Sequence, residues 1–196
     1  MAWNKLGTTT LGSAGDDLDI TSMTANKFNV ILMHVLQSTS STYTPDMTFD
    51  DTGGNDYARR NETNGGSDTT LTSQAFIEFG LGGINTTTTE FTTSYVCNID
   101  GEEKLMIYNN IAAPTGAGTA PSRAQGVAKK DTTTDTVQFT RIDINNTDAG
   151  SFPIDSNLSA IGSDGTEELN VQDGAIYYDT DLNKEYVLYN NTWTEV

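Results

Sequence analysis

Apolar and polar residues alternate over short windows along most of this chain, and Gly, Asp and Asn break the alternation roughly every 8 to 12 residues. A period of two sends successive side chains to opposite faces of an extended strand, whereas a helix needs apolar residues at a period near 3.6. The pattern restricts the chain to strands joined by tight turns. Strands are expected near residues 5–11, 18–22, 28–36, 46–49, 74–81, 92–99, 104–111, 122–129, 136–144 and 157–162. The expected fold is all-β: a jelly-roll-like antiparallel β-sandwich over residues 1–164, a short polar linker over 165–173 and a small C-terminal β-meander over 174–196. The 196 residues suffice for one ordinary core and a small appendage. A domain of about 150 residues buries roughly 70% of the surface its unfolded chain would expose.

Three segments test the pattern. The run Phe28-Asn-Val-Ile-Leu-Met-His-Val-Leu also satisfies helical spacing, but its length and β-branched content favour a central strand buried on both faces. In Val137-Gln-Phe-Thr-Arg-Ile-Asp-Ile the apolar phase switches between Phe139 and Ile142, which predicts a β-bulge near Thr140 and Arg141. The stretches 50–70 and 112–121 are too poor in apolar residues for core elements and read as loops, which carry binding surfaces when a rigid scaffold presents them.

Ten Lys and Arg against 27 Asp and Glu give a net charge of −17. Such a charge repels nucleic-acid phosphates and anionic lipid, so no nucleic acid and no membrane is expected as a partner. It also suits solubility in salty water, where ions screen the self-repulsion. The longest apolar stretch, 30–36, is interrupted by His34 and is far too short to span a bilayer. No basic-then-apolar leader opens the sequence, so synthesis in the cytoplasm of the producing cell is expected. The single cysteine, Cys97, excludes an intramolecular disulfide. Phe91, Thr93, Tyr95 and Ile99 share its phase, which predicts a core thiol.

Catalytic constellations are scarce. Ser-His-Asp or Cys-His chemistry needs a histidine base, and the only one, His34, lies in the most apolar run, where a buried structural role is expected. One His and one Cys exclude a structural zinc site within a subunit. Carboxylates are plentiful enough for a paired-acid glycosidase, but no aromatic and acid cluster stands out, and the chain is read as no enzyme. Asp46, Asp50, Asp51, Asn55, Asp56 and Asp68 gather oxygen ligands in one region. Their spacing departs from the twelve-residue Ca²⁺ loop, and polar turn chemistry is the preferred reading. No cofactor and no metal are expected. Arg59 and Arg60 are the densest positive charge in the chain. Two readings stay open for them: a pair with a carboxylate of a neighbouring subunit or of a capsid, or a pair with one of the flanking aspartates.

The last thirty residues carry aromatic and β-branched runs separated by Asp-Gly, Asp-Thr-Asp-Leu-Asn and Asn-Asn, which are hairpin turn formers. Within them Tyr177, Tyr178, Tyr186, Tyr189 and Trp193 offer an aromatic platform for sugar rings or for a partner, although part of the set must form the core of so small a unit. Residues 174–193 resemble the Gly-x-x-Tyr-Tyr-Asp-Thr-x-x-Asn-Lys-x-Tyr-Val-Tyr-x-x-x-x-Trp modules of phage tail-fibre and other virion proteins. The opening Trp3-Asn-Lys-Leu-Gly-Thr-Thr-Thr-Leu-Gly-Ser-Ala-Gly-Asp-Asp resembles a family of small structural proteins of marine tailed phages and related environmental viruses. So do Phe49-Asp-Asp-Thr-Gly-Gly-Asn-Asp-Tyr-Ala-Arg-Arg, Asn64-Gly-Gly-Ser-Asp and Ile161-Gly-Ser-Asp.

These resemblances imply a virion component and transfer no catalytic residue. The expected function is a non-enzymatic virion structural protein, a capsid decoration or short head-fibre subunit of a tailed virus, assembling as a homotrimer and with capsid or tail proteins. A tail-fibre or receptor-binding adhesin that holds host surface glycans is the first rival, and a cell-surface filament subunit the second. The expected partner or glycan contacts are Arg59, Arg60, Tyr178, Tyr186 and Trp193.

Overall fold

A computed structural model describes residues 3–36, 42–80, 88–114, 116–131, 137–165, 174–180, 182–189 and 192–196. The expected linker lies outside the described residues except for Gly165, as do Leu81 and Thr136 at the ends of two expected strands. The chain divides into two compact units, Trp3–Asp164 and a C-terminal one beginning at Gly165.

In chain order, the first unit contains β1 (Asn4–Thr10), β2 (Asp17–Ile20), β3 (Phe28–Val35), β4 (Pro45–Phe49), β5 (Tyr57–Thr63) and β6 (Thr69–Gln74). It continues with β7 (Ile77–Glu78), β8 (Thr88–Cys97), β9 (Lys104–Pro114), β10 (Ser122–Lys130), β11 (Ile142–Asn146) and β12 (Asn157–Ser163). The second unit holds β13 (Ile176–Asp179), β14 (Lys184–Tyr189) and β15 (Thr192–Glu195). The fold is all-β, and no helix occurs among the described residues.

Two antiparallel sheets form the sandwich. The larger runs β1-β12-β3-β8-β9-β10-β5-β6 and the smaller β2-β11-β4-β7. Through its first four strands the chain crosses from one sheet to the other at every step, in jelly-roll manner, and β13-β14-β15 make the separate meander. Between the two sheets lies one core, with Ile31, Met33, Val35, Met106, Tyr108 and Leu158 from the large sheet meeting Leu18, Met47, Phe49, Ile142 and Ile144 from the small one. Burial of this apolar set is the main favourable term in folding.

Turn chemistry explains several strand ends. Asp50 and Asp51 both take positive φ, 56° and 54°, immediately after β4. Asn64 and Gly65, at 53° and 76°, form the Asn-Gly hairpin turn that joins β5 to β6.

Several expectations need correction. Residues 50–70 are not one loop, because β5 and the start of β6 occupy much of the stretch at the edge of the large sheet. β5 is paired on both sides, with β10 and with the edge strand β6, and on it Tyr57 is buried and Arg59 finds Glu78. Likewise 112–121 is loop only in part, since β9 extends to Pro114. β3 is not buried on both faces: Asn29, Ile31, Met33 and Val35 point inward while Phe28 and His34 are exposed. Among the described residues, β4 is buried along its whole length. No bulge interrupts β11, whose register with β2 and β4 is continuous. Residues 137–141 lie outside any strand, and Phe139 reaches the core from irregular backbone because the Asn98 side chain takes its N–H at 2.9 Å.

Candidate functional site

Geometry turns the expected phase of β8 around. Glu90, Thr92, Ser94 and Val96 point into the sandwich, and Phe91, Tyr95 and half-buried Cys97 point away from it. Two of the polar inward side chains are held from the neighbouring strand: the Asn110 amide of β9 donates to the Glu90 carboxylate and to the Thr92 hydroxyl across the β8–β9 pair. Hydrogen bonding of this kind is what permits polar groups inside a core. Cys97 is therefore not a core thiol, and His34, paired with Phe91 in the β3–β8 register, is an exposed histidine and not a buried one.

The same alternation continues through the next two strands. On β9 Met106, Tyr108 and Asn110 point inward, leaving Leu105, Ile107 and Ile111 exposed. On β10 Ala124 and Ala128 point inward, leaving Val127 exposed. Register aligns these residues in rows across the sheet. One row runs Ile161, Val30, Tyr95, Ile107, Val127 and Arg60, and the next Phe28, Cys97, Leu105 and Lys129. A third row, Thr93, Asn109 and Gln125, supplies polar side chains between them and the row of His34, Phe91, Ile111 and Arg123.

The result is a broad apolar face on the outside of the large sheet. Phe91, Tyr95, Leu105, Ile107, Ile111 and Val127 are each 43% to 59% exposed. Together they present on the order of 500 Å² of apolar surface, as large as the biggest patch on a typical monomer and characteristic of an interaction site. None of these six was singled out as a contact from the sequence. The signal was available in Lys104-Leu-Met-Ile-Tyr, where both phases of one strand are apolar although only one of them can face the core.

Arg59 and Arg60 part company. Arg59 points toward the core and pairs with Glu78, beside the Tyr108 hydroxyl. Burial pushes that hydroxyl up, and the guanidinium partly opposes the shift. The partner of Arg59 is thus intramolecular, though it comes from β7 and not from a flanking aspartate. Arg60 points outward at the end of the Tyr95 row. There it borders a shallow depression of about 300 Å³, which Glu62, Ile107, Asn109, Gln125 and Val127 also line.

The acidic region around residue 50 is turn structure. Asp50 Oδ1 accepts the Thr140 N–H at 2.8 Å, and the Asp51 N–H donates to Asp143 Oδ2 at 2.9 Å. Among the described residues no group of three or more His, Cys, Asp or Glu side chains is placed to hold a metal ion. Arg141 pairs with buried Asp143 and lies 3.6 Å from Asp19. Burial, with the neighbouring Asp143 charge, pushes Asp19 up to about 6.

The C-terminal unit has its own candidate face. Tyr177 pairs with Tyr186 across β13 and β14, their rings stacked at 6.3 Å, and Trp193 meets Tyr177 edge-on at 6.0 Å. Tyr178 pairs with Glu185, on the opposite face of the meander, and its hydroxyl bonds Asn183. Of the expected aromatic contacts, Tyr186 and Trp193 share one surface with Tyr177, and Tyr178 belongs to the other.

The fold and these surfaces define the class as an antiparallel β-sandwich with an appended β-meander. Comparison with models of known protein families gave no match, and comparison with curated protein sequences gave none.

Proposed function

We propose that this chain is a non-enzymatic structural subunit of a tailed virus particle, a capsid decoration or short head-fibre protein that works by assembling. The observation that carries this reading is the exposed apolar outer face of the large sheet, which works against solubility and is the kind of patch that marks an interaction site. Its resemblance to virion proteins supplies the particle. Copies of the chain, as a homotrimer, and capsid or tail proteins are the partners. Immunogold electron microscopy of purified particles with an antibody to this chain tests the proposal. Label over the whole head is expected, and particles without label would refute it.

A second reading is favoured by the ring cluster of Tyr177, Tyr186 and Trp193, in which Tyr177 and Trp193 are 52% and 41% exposed. Stacked rings with polar neighbours suit the apolar face of a sugar. In this reading the chain is a glycan-binding adhesin, and label falls on the tail tip. Glycan binding should then be lost in Trp193→Ala while the circular dichroism spectrum is unchanged.

A further inference from the structure

The outward positions of the four central strands of the large sheet have a second property besides being apolar. They are Phe28, Val30, Leu32 and His34 on β3, and Thr89, Phe91, Thr93, Tyr95 and Cys97 on β8. On β9 they are Leu105, Ile107, Asn109, Ile111 and Ala113, and on β10 Arg123, Gln125, Val127 and Lys129. The chain has 27 carboxylate side chains, and not one stands at these positions. The two cations are already offset at the margin, Lys129 by Glu103 at 2.6 Å and Arg123 by Glu62 at 3.6 Å.

We propose that the outer face of the large sheet is the interface between copies of this chain, the faces of the three copies meeting around the axis of the homotrimer. Charge selects the occupant. A partner recognised by opposite charge would need a charged face, and this one is close to neutral in a molecule of −17. Two copies approaching by almost any other surface bring carboxylates together. Approaching by this one they bring only Glu62 and Glu103 at the margin, each beside a cation of its own chain, so the apolar area can be removed from water without burying unpaired like charges. Size agrees as well. On the order of 500 Å² of apolar surface, with a polar rim, matches the core of a standard interface of about 800 Å² per partner. The row of Thr93, Asn109 and Gln125 supplies both donors and acceptors, and amide and hydroxyl groups can pair with their own copies across a symmetry axis. This inference rests on reading the outer face as an assembly surface and holds whether or not the particle is a virus.

Sedimentation of the full chain over a range of concentrations, in low and high NaCl, tests it. The expected result is a species whose mass is a multiple of the 21.1 kDa chain. Ile107→Glu and Tyr95→Glu, which put a carboxylate in the face, should weaken assembly by about a hundredfold or more. Ile154→Glu, equally exposed but off this face, should not. Added salt should strengthen assembly, because it screens the repulsion between like-charged copies and leaves apolar contact intact. The Cys97 thiol should react faster with a soluble thiol reagent in Ile107→Glu than in the assembled parent chain. A parent chain that stays monomeric at high concentration would overturn the proposal, as would assembly that survives both substitutions or that salt dissolves. Any of these failures leaves the immunogold test of virion location standing.

Discussion

Asn98 is fully buried just beyond β8, and its amide joins segments that no strand ladder connects. Nδ2 donates to the carbonyls of Asn26 and Phe139 at 3.1 and 3.2 Å, while Oδ1 accepts the Phe139 N–H. That anchoring lets Phe139 stack on Phe49 at 4.2 Å without belonging to a strand. Asn98→Ala strands three backbone groups in the core and should destabilise the chain by about 3 kcal/mol, seen as a lower urea midpoint with an unchanged slope. A drop below about 0.5 kcal/mol would show that water takes over these bonds. Asp46 makes a prediction of different sign. It is buried in β4 with the Thr147 hydroxyl at 2.6 Å, and burial pushes its carboxyl up from 3.8 to about 6. Between those values the folded chain holds a proton that the unfolded chain has released. The stability contributed is complete below pH 3.8 and is lost as pH rises through about 6. In Asp46→Asn, which keeps an acceptor for Thr147, the fall in stability from pH 3.8 to pH 7 should shrink by about 2 kcal/mol. Urea titrations of both chains across that range decide it, and an unchanged slope would exclude Asp46 as its source.

At the scale of elements, the β9–β10 pair depends on a glycine. Gly126 faces Tyr108 across the ladder, and a Cβ placed there would lie 2.6 Å from the Tyr108 ring and 2.8 Å from the Arg60 carbonyl oxygen. Tyr108 is buried and has Phe79 as a ring neighbour, so it has little room to yield. Gly126→Ala should cost about 1 to 3 kcal/mol, while Gln125→Ala next to it should stay within about 0.5 kcal/mol, both read from thermal unfolding. Equal effects would mean that the ring moves freely. These two strands were legible from alternation and flanking turn residues, as was the meander. Phase was harder. A rule that turns apolar residues inward put Cys97 in the core and the Phe91 row with it, whereas bonds from Asn110 to Glu90 and Thr92 let the polar phase of β8 face inward. β5 escaped notice because its apolar content is nearly confined to Tyr57 and Ala58, and the remainder is polar residues paired between β10 and the edge strand β6. Contacts made by bonded polar groups across long sequence separations leave no periodic trace.

For the whole molecule, ten cations are spread among 27 carboxylates, and the ion pairs of Arg59, Arg123, Lys129, Arg141 and Lys184 leave a large excess of negative charge. Composition alone revealed this excess, but not that the central strands of the large sheet turn a carboxylate-free face outward, because that depends on register. The excess opposes compaction, since folding brings the carboxylates nearer to one another. Raising ionic strength from about 0.01 M to about 1 M shortens the Debye length from about 30 Å to about 3 Å and removes most of the repulsion between distant charges. It also weakens the exposed ion pairs, but each of these is worth less than about 1 kcal/mol. The net effect should be stabilising by about 1 to 2 kcal/mol, or roughly 2 to 8 °C in the unfolding midpoint for a chain of this size. Measuring it on Ile107→Glu keeps assembly from contributing. Repeating it near the isoelectric point of about 4.1, where the net charge vanishes, should abolish most of the gain. A midpoint that rises equally at both pH values would assign the effect to salt acting on apolar surface instead of on charge.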